Sequence, residues 1–311
     1  MKRTTFFLQR LLRLGVVLAS VVVLTFALVH LTPGDPARAI AGAQADATAV
    51  ALARAEFGLD RPLHEQFGSY LAGLVHGDLG TSFKTRQPVS ELIASRAGPT
   101  YSLALAALVM IAVVGLAAGL LAGIASARGS RAFDAAFSAV TGGLAAMPHY
   151  LTATFLVFLF AVTWTLFPVA GSDGLSTLVL PAAAVALRPA MMVARVVRVR
   201  TVEVVEQPYV RTARAKRIGP ARLYLRHVLP NAATAALALG GVLFASLIGG
   251  AVVVELVFGR AGLGTELVRA VIAGDYPVVQ GITLLMGATV VVVNLLVDLL
   301  LGALDPRTVE A

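Results

Sequence analysis

The sequence has no cysteine, and only 14% of its residues are charged. The first absence excludes disulfides and thiolate metal sites, and it leaves the redox compartment unread. The second, beside 58% hydrophobic residues and a mean hydropathy of +0.85, excludes an ordinary soluble domain. Histidine is also sparse: His30, His64, His76, His149 and His227 show no paired metal-ligand spacing, and H-E-x-x-H does not occur. The dipeptide Gly-Lys is missing, so there is no P-loop, and any ATP used must be bound by another polypeptide. A membrane serine protease would need Ser246 to face His149 inside the bilayer, a forced arrangement.

What is present is apolar and long. A hydrocarbon core about 30 Å thick needs roughly 20 mainly apolar residues per helix. Five stretches qualify: Leu14 to Leu31, Leu103 to Ala127, Phe155 to Phe167, Val242 to Leu256 and Val278 to Leu304. The third suffices when extended back through Ala135 to Leu151. A sixth, Leu178 to Val197, is interrupted by Arg188 and Pro189. The reading is an all-α integral membrane fold of six transmembrane helices with one extramembrane insertion after the first.

The formal charge of +8 raises the question of nucleic acid, and position answers it. Lys2, Arg3, Arg10, Arg13, Arg128, Arg131, the run from Arg195 to Arg226, and Arg307 all fall on one face of a six-span chain, the cytosolic face by the positive-inside rule. The loop after the first span is near neutral, with Asp35, Asp46, Glu56, Asp60, Glu65, Asp78 and Glu91 beside Arg38, Arg54, Arg61, Lys84, Arg86 and Arg96. The excess charge is a topology signal, not a nucleic-acid footprint.

The N-terminus has a basic start and an apolar run, yet the run from Gly15 to Leu31 is longer than a signal h-region and reads as an uncleaved span. Beyond it, Ala47 to Phe57 reads as a helix stopped by Gly58, and Pro62 to Leu74 as another ending near Gly77. Pro88 opens a third, with Val89, Leu92 and Ile93 on one face, expected to lie flat in the interface as an amphipathic elbow. The division expected is 1–32 for the cytosolic N-terminus and first span, 33–96 for the external insertion, 97–304 for a five-helix core with a cytosolic loop at 200–231, and 305–311 for a cytosolic tail.

Within the membrane, Gly115, Gly119 and Gly123 recur every fourth residue, a stripe on which another backbone packs closely. Pro148, Pro181 and Pro189 should kink helices whose neighbours satisfy the freed carbonyls. Intramembrane ionisable groups are functional candidates because their burial is costly. Arg188 lies mid-span, with pathway lining and structural pairing both open. Asp298, a turn from Asn294, sits toward the cytosolic end of the last span, where solvation or a structural pair would also explain it. Glu255 lies at an external edge, and the segment from Glu255 to Gln280, with Asp275 and Gln280, is a candidate gate.

The densest cationic stretch lies between the fourth and fifth spans. Pro208 starts a helix in which Arg211, Arg214 and Arg217 recur at three-residue spacing, with Val210 and Ala213 on another side. Gly219-Pro220 breaks it and starts a second, in which Arg222 and Arg226 share a face and Leu223, Leu225 and Val228 offer apolar contacts. Pro230 is expected to end this unit just before the fifth span. Two short helices joined by a tight turn make a stiff knob; a solvated positive-inside loop is the plainer alternative.

The stretch Tyr209-Val210-Arg211-Thr212-Ala213-Arg214-Ala215-Lys216, closed by Leu229-Pro230, resembles the cytosolic EAA motif of permeases of binding-protein-dependent ABC importers, specifically the first permease subunit of the dipeptide/oligopeptide/nickel family. Arg217 occupies the usual glycine position of that motif, with Gly219 two residues later. Leu31-Thr-Pro-Gly-Asp-Pro-Ala37, Gly58-Leu-Asp-Arg-Pro-Leu63, Gly77-Asp-Leu-Gly-Thr-Ser-Phe83, Gly262-Leu-Gly264, Asp275-Tyr-Pro-Val-Val-Gln-Gly281, Val297-Asp-Leu299 and Leu304-Asp-Pro-Arg307 look like family signatures in the right order.

The resemblance implies a type I importer half in the inner membrane, with both termini cytosolic. Its expected partners are a second homologous permease, two ATPase subunits, an extracytoplasmic solute-binding protein and membrane lipid. No catalytic, cofactor or metal site is expected in this chain; ATP and Mg would sit on the partner ATPase subunits. Cargo is expected to be di- or oligopeptide, with nickel chelate or another small solute as the alternative inside the family, and an ion-gradient secondary transporter using Arg188, Asp298 or Glu255 as the competing class.

Overall fold

The computed structural model describes residues 12, 15–27, 35–42, 44–172 and 174–304. Lys2, Arg3, Arg10, Arg13, His30 and Arg307, the tail 305–311 and parts of the first and last signatures lie outside the described residues. Among those described there is no strand, only an isolated bridge between Thr81 and Pro88. The fold is all-α, with helices α1 (Gly15–Ala27), α2 (Pro36–Ala41), α3 (Ala47–Glu56), α4 (Leu63–Val75), α5 (Val89–Ser126), α6 (Arg131–Ala146), α7 (His149–Thr163), α8 (Ser176–Val205), α9 (Pro208–Ala215), α10 (Pro220–Ala238), α11 (Gly240–Val257), α12 (Leu263–Ala273) and α13 (Tyr276–Leu304).

Three helices, α5, α8 and α13, are long and apolar enough to cross a membrane singly. Two bent pairs bring the number to five, and α1 is the described part of the remaining apolar segment. Both pairs depart from a straight span: α6 and α7 meet at 99°, and α10 and α11 at 62°. Met147 is extended at the first of these bends (ψ 126°) as the residue before Pro148, whose ring disfavours the α conformation in its predecessor.

Two compact units divide the chain. The core unit holds Tyr101–Arg260 and the described residues from Val292 onward; the second holds the described residues up to Thr100 together with Ala261–Val291. The insertion therefore groups with a segment far along the chain, Ala261–Val291.

In the core unit α8 is the central element, with Ala182, Val185, Ala186, Ala194 and Val197 at most 3% exposed. It packs on the glycine stripe of α5. A Cβ on Gly115 would come within 2.7 Å of Val193, and one on Gly119 within 2.6 Å of Val197 and 2.7 Å of the Ala194 carbonyl oxygen. Gly123 faces Thr201 at equally close quarters. Glycine is needed here because two backbones touch, as the four-residue spacing indicates. Contrary to the expected interruption at Arg188-Pro189, α8 runs unbroken through Pro181 and Pro189. Pro181 has no N–H to give to the Thr177 carbonyl, and Arg260 Nη1 lies 3.4 Å from that oxygen instead.

The ends of α5, α6 and α8 in this unit are pinned by Asp134. Its Oδ1 accepts from Arg198 Nη1 at 2.7 Å and from Ser126 Oγ at 2.5 Å, while Arg198 lies 5.5 Å from the Phe137 ring centroid.

In the second unit the elbow expected at Pro88 to Arg96 is absent. The segment is the start of the continuous 38-residue α5. Val89, Leu92 and Ile93 are buried against protein, with Val89 Cγ1 only 2.6 Å from where a Cβ on Gly281 would sit. Thr100 Oγ1 accepts from the Leu263 amide at 2.8 Å at the start of α12, and Arg96 Nε is 3.6 Å from Glu266 Oε2. Gly58 (φ 63°) and Gly77 (φ 78°) end the two preceding helices as expected.

Candidate functional site

The basic stretch folds into a compact helix-turn-helix whose geometry follows from three residues. Pro208 is pre-set for the first turn of α9, where its missing N–H costs nothing. At the far end Arg217 adopts φ +55°, the left-handed conformation that normally selects glycine. Around it the Arg217 amide donates to the Arg214 carbonyl at 2.9 Å and the Ile218 amide to the Ala213 carbonyl at 3.3 Å. This pair of bonds is a Schellman cap, with Ile218 and Ala213 joined in the same apolar cluster. Gly219 has φ −58° and stands before Pro220 at the start of α10. The position that asks for glycine is 217, and arginine fills it in the same backbone geometry; Gly219 does not substitute for it.

The apolar residues of the pair face inward. Val210 and Val228 are fully buried, and with Ala213 and Leu223 they pack on Leu120 of α5 and Val205 of α8. Leu223 and Val228 thus anchor the knob to its own chain, whereas Leu225, grouped with them in the sequence reading, is 60% exposed. The outward surface carries Tyr209, Arg211, Thr212, Arg214, Ala215, Lys216, Arg217, Arg222 and Arg226, all exposed. Among the described residues none of these cations has a carboxylate within 4.0 Å, unlike Arg198 and Arg200, which pair with Asp134 and Glu203. Pro230 does not end the unit: a π-turn at Tyr224–Val228 precedes it and α10 continues to Ala238. Leu229 is partly buried against the anchoring cluster, and the Asn231 side-chain amide donates to the His227 carbonyl at 2.9 Å.

The remaining candidates are scattered. Glu255 is fully buried in the core unit and so lines no surface of it. Its neighbour Arg260, which sequence reasoning passed over, is 2% exposed and interacts electrostatically with it. Arg260 Nη1 also lies 3.4 Å from the Gly171 carbonyl oxygen. Arg188 is exposed on α8, and Asp298 and Asn294 are half-buried on α13.

In the second unit Asp275 is 4% exposed, its carboxylate accepting from Ser82 Oγ at 2.5 Å and from the Phe83 amide at 3.0 Å. That contact welds two of the sequence signatures into one structure. Gln280 Nε2 donates to the Thr25 carbonyl at 3.2 Å and borders a cleft of about 410 Å³ lined also by Phe26, Phe57, Tyr70, Phe83 and Tyr276. Burial raises the Tyr70 hydroxyl above its ordinary pKa, and the Thr25 hydroxyl bond opposes that rise.

Comparison with known proteins matches two family models. Residues 115–310 match the "Binding-protein-dependent transport system inner membrane component", and residues 3–104 match the corresponding N-terminal component. The chain is 40% identical over 299 residues to the glutathione transport system permease protein GsiC of Salmonella typhimurium, covering 96% of this chain and 97% of that one. The GsiC proteins of Shigella flexneri and Escherichia coli K12 are 39% and 38% identical over the same coverage.

Proposed function

Because the chain belongs to the family of binding-protein-dependent transport system inner membrane components, we propose that its basic knob, Pro208 to Pro230, is the element through which separate ATPase subunits move it. The chain is a membrane permease subunit of an ABC importer. In this reading it forms half of a translocation pathway with a second, homologous permease. An extracytoplasmic binding protein delivers cargo from outside, and two ATPase subunits carrying ATP and Mg dock beneath the knob. Both termini are cytosolic, consistent with the distribution of basic residues.

The observation that carries the reading is the division of labour inside the knob. Its apolar face is locked onto α5 and α8 through Leu120 and Val205, while its cationic face is free of carboxylate partners among the described residues. A push on the outer face is therefore delivered to the two helices that meet along the glycine stripe. Two discrete packings of such helices provide alternating access. The surface cations contribute about 0–1 kcal/mol per exposed pair, and their unpaired state suits an acidic partner surface.

Cargo is a small peptide or peptide-like solute, supported by the glutathione named for the relatives. The test is reconstitution with the partner subunits and binding protein in proteoliposomes. ATP-driven uptake of glutathione or short peptides that persists with a proton ionophore supports the reading. Uptake without ATPase subunits that collapses with the ionophore would instead identify a gradient-driven transporter.

A further inference from the structure

Helix α8 carries Arg188, Arg195, Arg198 and Arg200. The last two are neutralised inside the core unit, Arg198 by Asp134 at 2.7 Å and Arg200 by Glu203 at 2.8 Å. Arg188 and Arg195 are exposed, with no carboxylate within 4.0 Å among the described residues. They are not scattered. Between 181 and 199, exposure on α8 falls at Arg188, Met192, Arg195 and Val199, one stripe of a helix whose intervening positions Pro189, Ala190, Met191, Val193 and Ala194 are buried.

Arg188 lies twelve residues beyond Ser176 in that 30-residue helix, about 18 Å along its axis, which falls within a hydrocarbon core about 30 Å thick. A guanidinium at that depth is not left facing acyl chains. Arg195 opens into a groove of about 510 Å³ lined also by Ser138, Met192, Arg198, Val199 and Glu203. Glu203, the acidic member, is held by Arg200, so the lining keeps a positive balance. Among the described residues, His149 on the neighbouring α7 is within electrostatic reach of Arg188, and it carries no negative charge.

We propose that Arg188, with Arg195 about 10 Å further along the same stripe, forms a cationic track that binds the carboxylate groups of the cargo as it crosses the membrane. This rests on the importer reading and sharpens it: the transported solutes are carboxylate-bearing and anionic or zwitterionic, and the track recognises them by charge-assisted hydrogen bonds. Two positions about 10 Å apart along the helix suit a short peptide with carboxylates at two positions.

The test uses the complete transporter in proteoliposomes with binding protein loaded with glutathione. Arg188→Gln should lower glutathione imported per ATP hydrolysed at least tenfold, in a complex that assembles in normal yield. Arg188→His makes the charge titratable, since histidine ionises near pH 6.5. Its uptake, relative to the unsubstituted complex, should be at least fivefold higher at pH 5.0 than at pH 8.0. An Arg188→Gln ratio within twofold of the parent, or an Arg188→His profile parallel to the parent's, overturns the track. Absence of ATP-driven glutathione uptake in the unsubstituted complex would overturn the cargo reading and the track with it, whereas uptake that is insensitive to Arg188 overturns the track alone, so the two failures are distinguishable.

Discussion

The Ile218 amide closes onto the Ala213 carbonyl at 3.3 Å, across an arginine held in the left-handed conformation. This is the geometric reason that a glycine is the expected residue at 217, and it shows that the turn survives the replacement. A non-glycine residue pays about 1–2 kcal/mol for that conformation.

Arg217→Gly should therefore leave the knob intact and raise the thermal midpoint of the purified complex slightly, the relief of strain outweighing the extra freedom of glycine in the unfolded chain. Arg217→Val, β-branched at the same backbone angle, should lower the midpoint and reduce ATPase coupling several-fold. Equal behaviour of the two variants in thermal unfolding would mean that residue 217 is not left-handed.

Gly119→Val should cost about 1–3 kcal/mol or prevent assembly, because its side chain would overlap Val197 and the Ala194 carbonyl. Gly142→Ala on α6, which has nothing within 4 Å of its new methyl, serves as the control and should be neutral or mildly stabilising. Recovery of monodisperse protein from detergent separates the two.

Breaking the buried association of Glu255 and Arg260 from one side should be severe. Arg260→Met alone should cost about 3–5 kcal/mol, and Glu255→Gln with Arg260→Met should recover a large part of that loss. A double-mutant cycle by thermal unfolding that gave simple additivity would show that the two groups act independently.

Asp275→Asn removes the charge from the acceptor of Ser82 Oγ and the Phe83 amide. Those bonds are charge-assisted, so the loss should be about 1–3 kcal/mol, confined to the second unit. Hydrogen exchange at the Phe83 amide should accelerate roughly tenfold or more. Unchanged exchange would mean that the loop at 80–86 holds itself.

Much of this was legible in the sequence because it is written at helical spacing. The stripe at Gly115, Gly119 and Gly123 announced a close helix contact, and the partners proved to be Val193, Val197 and Thr201 on α8. The knob's two helices follow from Pro208 and Gly219-Pro220. What local pattern could not convey was pairing over distance. Ser82 and Asp275 are separated by 193 residues, and nothing in either neighbourhood names the other. The prolines divide: the interruption expected at Arg188-Pro189 is absent, and the kink expected at Pro148 is present. Pro181 and Pro189 ride inside an unbroken helix, with Arg260 reaching the carbonyl freed by Pro181, whereas Pro148 turns the chain through 99°. The stripe of Arg188 and Arg195 went unread, because a run so rich in arginine hides which members are already paired.

The central claim, that the knob transmits the ATPase stroke, is tested most directly by Arg211→Glu combined with Arg214→Glu. Both side chains are exposed on α9, away from the anchoring cluster of Val210 and Ala213. ATP hydrolysis stimulated by loaded binding protein is measured in the reconstituted complex. The account predicts at least a tenfold loss of stimulation and of uptake, with normal amounts of the permease in the membrane. Full stimulation and normal uptake by the double variant would contradict it.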